Sequence, residues 1–222
     1  MPVPLLIVGS GGFARETAEA VRAGASDPAA GALRVLGFLD DDPSRHGTEV
    51  DGLPVLGPSE VVADHPDARV VVCTGSPTDY GSRRRIVERL DLAAERWATV
   101  VHPAAVLAPS TRLGVGTAVL ASVVATASVG VGEHVAVMPG VILTHDDEVG
   151  PFATLGAGVR LGGGVTVETG AYLGAGSVVR ERLTIGAGAL VGMGAVVTRD
   201  VPPGEVWVGV PARRLREATG RS

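Results

Sequence analysis

The sequence of 222 residues contains no lysine, a single cysteine and few aromatic residues. Without lysine, a Schiff base or a lysine nucleophile is excluded. The lone thiol, Cys73, cannot form an internal disulfide or a thiolate metal cluster, which favours a reducing compartment such as the cytoplasm. Because aromatic residues make up only 3% of the chain, while 32 residues are glycine, the core must be built from small aliphatic side chains.

The charge balance excludes further classes of partner. The chain carries 19 basic and 24 acidic residues, a net charge of -5, whereas a protein that binds nucleic acid or an anionic membrane needs a basic surface. The first residues lack the basic region of a signal peptide, so we expect a cytoplasmic protein. The stretch 113–132 is uncharged and long enough to span a membrane, but its glycines and its six-residue period argue against a membrane helix.

The second half of the chain repeats every six residues. From Val101 to Val197, every sixth residue is Val, Leu or Ile at 16 of 17 positions, and Ala125 is the exception. A helix would repeat every ~3.6 residues and an ordinary strand every two. The period predicts a left-handed parallel β-helix, in which three hexapeptides form one triangular coil and the coils stack to a prism about 25 to 30 Å long.

The first hundred residues alternate instead between strand and helix patterns. Strands are predicted over Leu5–Val8, Val35–Leu39, Arg69–Thr74 and Trp97–Val101, and helices over Phe13–Ala23, Pro58–His65 and Asp79–Leu90. The alternation predicts an α/β domain of Rossmann type, with a small parallel sheet, over residues 1–100. The β-helix and a C-terminal tail then occupy residues 101–222.

The predicted sheet offers a ligand site at the carboxyl ends of its strands. The loops there are 9–13, which is rich in glycine, 40–42, which is acidic, and Gly75 with its neighbour Ser76. Glycines let backbone N–H groups approach a phosphate at a helix start, and aspartates accept hydrogen bonds from ribose hydroxyls or a base. A glycine loop that only turns the chain is the structural alternative.

The same loop matches a dinucleotide fingerprint at Gly9, Gly11 and Ala14. However, the acidic residues follow about 30 residues after the first glycine instead of about 20, and the predicted sheet has about four strands instead of six. The pattern favours a mononucleotide or a nucleotide sugar over a dinucleotide.

His145 is the main candidate for acid–base chemistry. It lies in the segment LTHDDE, which interrupts an otherwise aliphatic and glycine-rich surface. An imidazole can take a proton from an amine or a hydroxyl, and Asp146 is the natural group to hold its tautomer, whereas Asp147 and Glu148 approach the next corner. Gly163 follows 18 residues later, one coil away on the same face, where its backbone N–H can stabilise a thioester oxyanion.

A metal site is not expected. Counted in hexapeptides, His102, His134 and His145 fall on three different faces of the coil. Three such histidines cannot readily converge within one chain on a tetrahedral ion with ligand distances of about 2 Å.

These motifs together resemble the hexapeptide-repeat sugar acyltransferases of the NeuD and PglD type. The resemblance rests on LLIVGSGGFARE, GFLDDDP, VVVCTGS, LTHDDEVGPF, the hexapeptides and VWVGVPARR, and it covers nearly the whole chain. It implies a homotrimer of prisms, acetyl-CoA without a metal in the groove between subunits, and a nucleotide-linked amino sugar on the front domain, whose amine is acetylated.

The resemblance also implies roles for individual residues. His145 matches the catalytic base, Asp146 its acidic neighbour and Gly163 the backbone donor to the thioester carbonyl. We expect acetyl-CoA contacts from Gly163, Ala175, Met193 and Arg213, although Arg213 and Arg214 fit a solvated tail equally well. We expect nucleotide-sugar contacts from Gly11, Gly12, Phe13, Asp40, Asp41 and Gly75. Thr154 departs from the family, which commonly has a second histidine nine residues after the base.

Direct transfer assisted by His145, without a covalent acyl-enzyme, is the expected mechanism. Two other hypotheses stay open: an O-acetyltransferase that acts on a sugar or small-molecule hydroxyl, and a non-catalytic trimeric scaffold. The sequence does not decide the nucleotide, the sugar, amine against hydroxyl as acceptor, or the length of the acyl group.

Overall fold

The computed structural model describes residues 2–24 and 33–218, and it begins with an α/β unit. The elements of this unit are β1 (Val3–Val8), α1 (Gly12–Gly24), β2 (Leu33–Leu39), β3 (Glu49–Val50), β4 (Leu53–Gly57), β5 (Arg69–Val72) and α2 (Ser82–Leu90). Short 3-10 helices lie at Pro43–Arg45, Ser59–Asp64 and Ala94–Arg96. The sheet order is β3-β4-β2-β1-β5, in which β3 alone runs antiparallel to its neighbour.

The predicted α/β unit is confirmed, and the structure differs from the prediction in three details. The β3–β4 hairpin was missed, although its turn residues Asp51 and Gly52 both have positive φ, the signature of a tight hairpin turn. The short helix predicted over Pro58–His65 is present as a 3-10 helix over Ser59–Asp64. In the predicted last strand, Trp97 forms an isolated parallel bridge with Val70 of β5. The regular strand is confined to Val100–Val101, which joins the β-helix, because Val100 pairs with Ala118 one coil further on.

The rest of the described chain forms the predicted left-handed parallel β-helix. Its strands are two residues long up to β22: β6 (Val100–Val101), β7 (Val106–Leu107), β8 (Arg112–Leu113), β9 (Ala118–Val119), β10 (Val124–Ala125), β11 (Gly130–Val131), β12 (Ala136–Val137), β13 (Ile142–Leu143), β14 (Glu148–Val149), β15 (Thr154–Leu155), β16 (Arg160–Leu161), β17 (Thr166–Val167), β18 (Tyr172–Leu173), β19 (Val178–Val179), β20 (Thr184–Ile185), β21 (Leu190–Val191) and β22 (Val196–Val197). The longer strands β23 (Glu205–Val208) and β24 (Arg213–Glu217) end it.

Every third strand stacks on the same side of the prism, which gives three faces. Face 1 holds β6, β9, β12, β15, β18 and β21 and continues into β23 and β24. Face 2 holds β7, β10, β13, β16, β19 and β22, and face 3 holds β8, β11, β14, β17 and β20. Turns at three edges join the faces, so a residue and the one 18 positions later lie one above the other.

The inside of the prism is filled by the second residue of each strand. These aliphatic side chains are buried from Val119 to Val197 and form one continuous core. The first coil has no preceding coil to pack against, so its stack positions are less buried: Val101 is 40% exposed, and Leu107 and Leu113 are partly buried.

The α/β unit packs on the outside of face 1. The outward residues Ala118 and Ala136 are 1% exposed under it, and Leu120 and Met138 join the core that α1 and β1 form. The packing leaves faces 2 and 3 uncovered by this unit.

Arg83 on α2 is the main polar link between the two units. Its side chain is only 1% exposed. It donates to the carbonyl of Thr74 in the α/β unit at 2.9 Å. In the prism it donates to the carbonyls of His134, Phe152 and Ala153 and to Thr154 Oγ1, at 2.7 to 3.0 Å. All five acceptors are neutral, and burial lowers the pKa of Arg83 to about 10, so the guanidinium is charged at neutral pH.

We predict that Arg83→Met lowers the free energy of unfolding by about 3 kcal/mol, because several buried carbonyls lose their donor. The measurement is the urea midpoint at a single protein concentration. Arg84→Met is the matched control: Arg84 lies on the same helix, pairs with Glu88 at the surface and should change stability by less than about 0.5 kcal/mol. Equal midpoints for the two variants would contradict the role given to Arg83.

Candidate active site

The glycine loop after β1 forms one wall of an open cavity of about 350 Å³. The sequence places glycines there because the chain must turn sharply from β1 into α1: Gly9 has a φ of 101° and lies against the Cys73 carbonyl. The first backbone N–H groups of α1 face the same region, where a helix start favours an anion such as phosphate. Of the expected nucleotide-sugar residues, Gly11, Gly12, Phe13, Asp40 and Gly75 all line this cavity.

Asp40 is held firmly at the cavity. One carboxylate oxygen accepts from the backbone N–H and the hydroxyl of Ser10, and the other accepts from the N–H of Asp42. Arg45 also donates to the Ser10 hydroxyl, at 2.7 Å, and brings a positive charge to the wall. The cavity therefore combines backbone donors, a cation and carboxylates, which suits the phosphates and the sugar hydroxyls of a nucleotide.

Asp41 does not line this cavity. Its carboxylate accepts from the N–H and hydroxyl of Ser59 and from Arg89. These contacts tie the loop after β2 to the following 3-10 helix and to α2. Arg45, which the sequence analysis did not single out, lies in the cavity instead.

A second, smaller cavity of about 170 Å³ adjoins the first, and both are lined by Phe13, Thr74 and Gly75. Its other wall is formed by the edge between faces 1 and 2, where Ala175 lies. Thr154 of β15 and Arg83 of α2 also line this cavity. Thr154 Oγ1 accepts from Arg83, so its own proton is available to a further acceptor. The predicted contact residue Ala175 thus lines the same cavity as Phe13 and Gly75 of its own chain.

His145 lies in the turn between β13 and β14, at the edge between faces 2 and 3. Its side chain is 68% exposed. Its Nδ1 is 2.9 Å from Asp146 Oδ2, so a proton on Nδ1 is donated to the carboxylate and Nε2 keeps a lone pair that can accept a proton.

Gly163 lies one coil above His145, as the 18-residue spacing predicts. A Cβ built on Gly163 would be 2.3 Å from His145 Nε2, so the imidazole occupies the space that a side chain would fill. Among the described residues nothing accepts the N–H of Gly163. The edge thus pairs a proton acceptor with a free backbone donor, the two groups that acyl transfer from a thioester uses.

His134 is a structural residue. Its ring is 3% exposed and packs edge-on against Trp97 and parallel to Phe152. Burial, and then the Arg83 charge, lowers the pKa of His134 to about 4, so the ring is neutral at pH 7.

Within residues 2–24 and 33–218, no group of three or more His, Cys, Asp or Glu side chains is arranged to hold a metal ion. In the same ranges no helix is long and apolar enough to cross a membrane. The uncharged stretch 113–132 folds as coil strands β8 to β11 with their turns.

Two expected acetyl-CoA contacts lie further along the prism. Met193 is one coil after Ala175 at the same edge and is 82% exposed. Arg213 is exposed in β24 and donates to the carbonyl of Ala212. Arg214 pairs with Glu205 and Glu217.

Within one chain the two parts of the site lie at different edges. The α/β unit covers face 1, and its cavities open toward the edge that carries Ala175. His145 and Gly163 lie at the edge between faces 2 and 3, the one edge that does not border face 1. The cavity of a chain and its own imidazole are therefore at two different edges of the prism, both of which border face 2.

This combination, a Rossmann-type unit on a hexapeptide prism, defines a class of acyltransferase. The model of the PglD N-terminal domain family matches residues 4–90. No match was found among curated proteins. PerB from Caulobacter crescentus, solved with CoA and GDP-perosamine, is 32% identical, with 95% of this chain and 96% of that chain covered and a TM-score of 0.82.

Two other solved structures extend the similarity. A histidine variant of the perosamine N-acetyltransferase from Caulobacter crescentus is 32% identical over 96% of this chain and 97% of that chain, with a TM-score of 0.83. The acetyltransferase domain of PglB from Neisseria gonorrhoeae, in complex with acetyl coenzyme A, is 26% identical over 97% and 100%, with a TM-score of 0.82. This chain belongs to the PglD/NeuD-like family of sugar acetyltransferases, which confirms the expected enzyme class.

We predict that Cys73 is inert in the native protein. Burial raises the pKa of its thiol to about 12, and the thiol donates to Thr17 Oγ1. An aromatic disulfide reagent at pH 8 should label no thiol until denaturant is added. Rapid labelling of the native protein would contradict the burial and would bring a cysteine acyl-enzyme back into consideration.

Proposed function

We propose that the protein transfers the acetyl group of acetyl-CoA to the amine of a nucleotide-linked amino sugar. The observation that carries the proposal is the imidazole of His145 packed against Gly163, whose N–H has no acceptor among the described residues. The cavity at the start of α1 supports a nucleotide as the handle of the acceptor. The similar PglB domain, solved with acetyl coenzyme A, supports acetyl-CoA as the donor. The similar PerB, solved with CoA and GDP-perosamine, supports a nucleotide-linked amino sugar as the acceptor.

The proposed step is direct transfer. His145 Nε2 takes a proton from the acceptor amine as its nitrogen attacks the thioester carbon, and the C–N bond forms. The N–H of Gly163 donates to the carbonyl oxygen as it becomes negative. The C–S bond then breaks, and the imidazolium returns the proton to the departing CoA thiolate. Asp146 stabilises the imidazolium through Nδ1.

The prism also supports a homotrimer. Five of the six outward residues of face 2 are aliphatic, namely Val106, Val124, Ile142, Val178 and Val196, and the sixth is Arg160. Val106 is 64% exposed in the single chain. Face 3 instead presents Arg112, Glu148, Thr166 and Thr184. An apolar sheet face of this kind is typical of an interface between subunits.

A threefold arrangement that buries face 2 completes the site. The edge between faces 2 and 3 of one copy then approaches the edge between faces 1 and 2 of the next. His145 and Gly163 of one copy meet the cavity of its neighbour, with Ala175 and Met193 along the same groove. In this proposal acetyl-CoA lies in that groove, Arg213 meets its phosphates, and each active site draws on two chains.

The acceptor itself is tested by incubation with acetyl-CoA and a panel of nucleotide-linked 4-amino sugars, in which thiol release is followed. We expect release with an amine and none with the matched hydroxyl sugar. Release with the hydroxyl sugar alone would indicate the O-acetyltransferase, and no release with either would favour the scaffold hypothesis.

We predict that His145→Ala lowers kcat by about 10²- to 10⁴-fold, because the base is lost. KM for acetyl-CoA and the melting temperature should be unchanged, since the ring is exposed. His65→Ala, which alters a histidine of the α/β unit away from both cavities, is the control and should keep full activity. A His145→Ala enzyme with near-normal kcat would remove His145 from the mechanism.

We predict that two inactive variants restore activity when they share a trimer. Gly11→Trp fills the nucleotide cavity without backbone strain, because a side chain at Gly11 meets only open space, and His145→Ala lacks the base. Random co-assembly of equal amounts in a cyclic trimer leaves one intact site in each mixed trimer, or about a quarter of the wild-type activity. Separately purified variants mixed without subunit exchange are the control, and no recovery on co-expression would place the whole site within one chain.

A further inference from the structure

The regular ladder of face 2 is interrupted at the turn that carries His145. In the other coils, the first residue after each face 2 strand donates its N–H to a carbonyl one coil further on, as Thr126 does to Leu143 and Gly162 to Val179. The N–H of Thr144 does not donate to the equivalent carbonyl, that of Leu161. Its N–H donates to Asp147 Oδ2 at 2.7 Å, and its hydroxyl donates to the Leu161 carbonyl at 3.0 Å.

The strand pairing shows the same interruption. Each of the other neighbouring pairs on face 2 aligns two residues with two. The pair β13–β16 aligns only Ile142 with Arg160. One rung of the ladder is thus replaced by side chains, next to the turn that holds His145.

The second oxygen of Asp147 reaches the next coil. Asp147 Oδ1 accepts the N–H of Val165 at 2.9 Å. In the same column, the N–H of Thr111 instead closes its own turn on the Ala108 carbonyl three residues back, whereas the N–H groups of Val129 and Leu183 make no backbone bond among the described residues. The carboxylate therefore holds two backbone donors, one from the His145 turn and one from the Gly163 turn.

Asp147 occupies a position that the fold would fill with an aliphatic residue. The residues stacked in its column, one coil apart, are Thr111, Val129, Asp147, Val165 and Leu183. Asp147 is 0% exposed, and burial raises the pKa of its carboxyl to about 6. The residue before Val129, Asp147 and Val165 has a left-handed backbone conformation in each turn, namely Ser128, Asp146 and Gly164. The three turns therefore share one conformation, which does not need a carboxylate.

A buried carboxylate costs stability in a stack of aliphatic side chains, so its presence calls for a role other than folding. The ring of His145 needs space between its own turn and the next, since it lies where a side chain of Gly163 would be. The two turns are joined by one backbone bond, from the Gly164 N–H to the His145 carbonyl at 2.8 Å. Asp147 bridges them as well by its two oxygens, on the side where the backbone rung from Thr144 to Leu161 is missing.

We infer that Asp147, together with Thr144, acts as a wedge that sets the separation of the two turns and so positions His145 over the N–H of Gly163. Asp147 is a positioning residue, because it is buried and reaches the reaction only through His145. The inference rests on the proposed function of His145 and Gly163.

The test is Asp147→Val, which restores the aliphatic column. We expect the melting temperature to stay the same or rise, kcat to fall at least tenfold, and KM for both substrates to change by less than about twofold. Asp147→Asn keeps one acceptor oxygen and should have an intermediate kcat. Thr111→Val, in the same column two coils away and with its hydroxyl unpartnered among the described residues, is the matched control and should leave kcat unchanged.

A double variant separates positioning from a general structural effect. If Asp147 acts through His145, Asp147→Val should not lower the residual rate of His145→Ala any further. The inference would be overturned if Asp147→Val lowered the residual rate of His145→Ala further. It would also be overturned if, in both Asp147→Val and Asp147→Asn, the melting temperature fell in proportion to kcat. Wild-type kcat in Asp147→Val would overturn it as well, while an inactive His145→Ala enzyme would leave the proposed function standing.

Discussion

The stacking of equivalent positions one coil apart is the constraint on which the rest of this structure depends. Backbone N–H groups of one coil donate to carbonyls of the next, and the second residue of each strand packs on its equivalents above and below. A side chain therefore has a fixed neighbour 18 residues away. This geometry makes a glycine useful at 163, because the imidazole at 145 must lie against the backbone one coil above it.

The same constraint explains where polar groups are tolerated. Inside the prism, a polar side chain must satisfy its hydrogen bonds with the turns that it touches. Thr117 does so with the Gly132 carbonyl and the Val135 N–H. Asp147 does so with the N–H groups of Thr144 and Val165. Burial of its carboxylate still costs stability, which we relate to the inferred role of Asp147 in positioning His145.

The three faces of the prism divide the work of the molecule. Face 1 carries the α/β unit, which is held by the buried Arg83 and contains the cavity at the start of α1. Face 2 is apolar and suits a contact between copies, and the edge beyond it carries His145. In the proposed mechanism, the acceptor pocket and the base of one chain lie at different edges, so a second subunit would bring them together and assembly would be a condition of activity.

Much of this protein followed from its sequence alone. The six-residue period determined the prism, because no other regular structure repeats its buried position in that way, and it also determined that residues 145 and 163 are neighbours. The hairpin at Asp51–Gly52 carried a local signal that was missed. Other features could not be predicted, because they depend on contacts between residues distant in the chain. Only the tertiary structure decided that Asp41 binds Ser59 and Arg89, that Arg83 joins the two units, and that Asp147 points inward to replace a rung of the ladder. The physical reason is that a period specifies which side of a coil a residue lies on, whereas the partner of a buried charge is set by how separate elements pack.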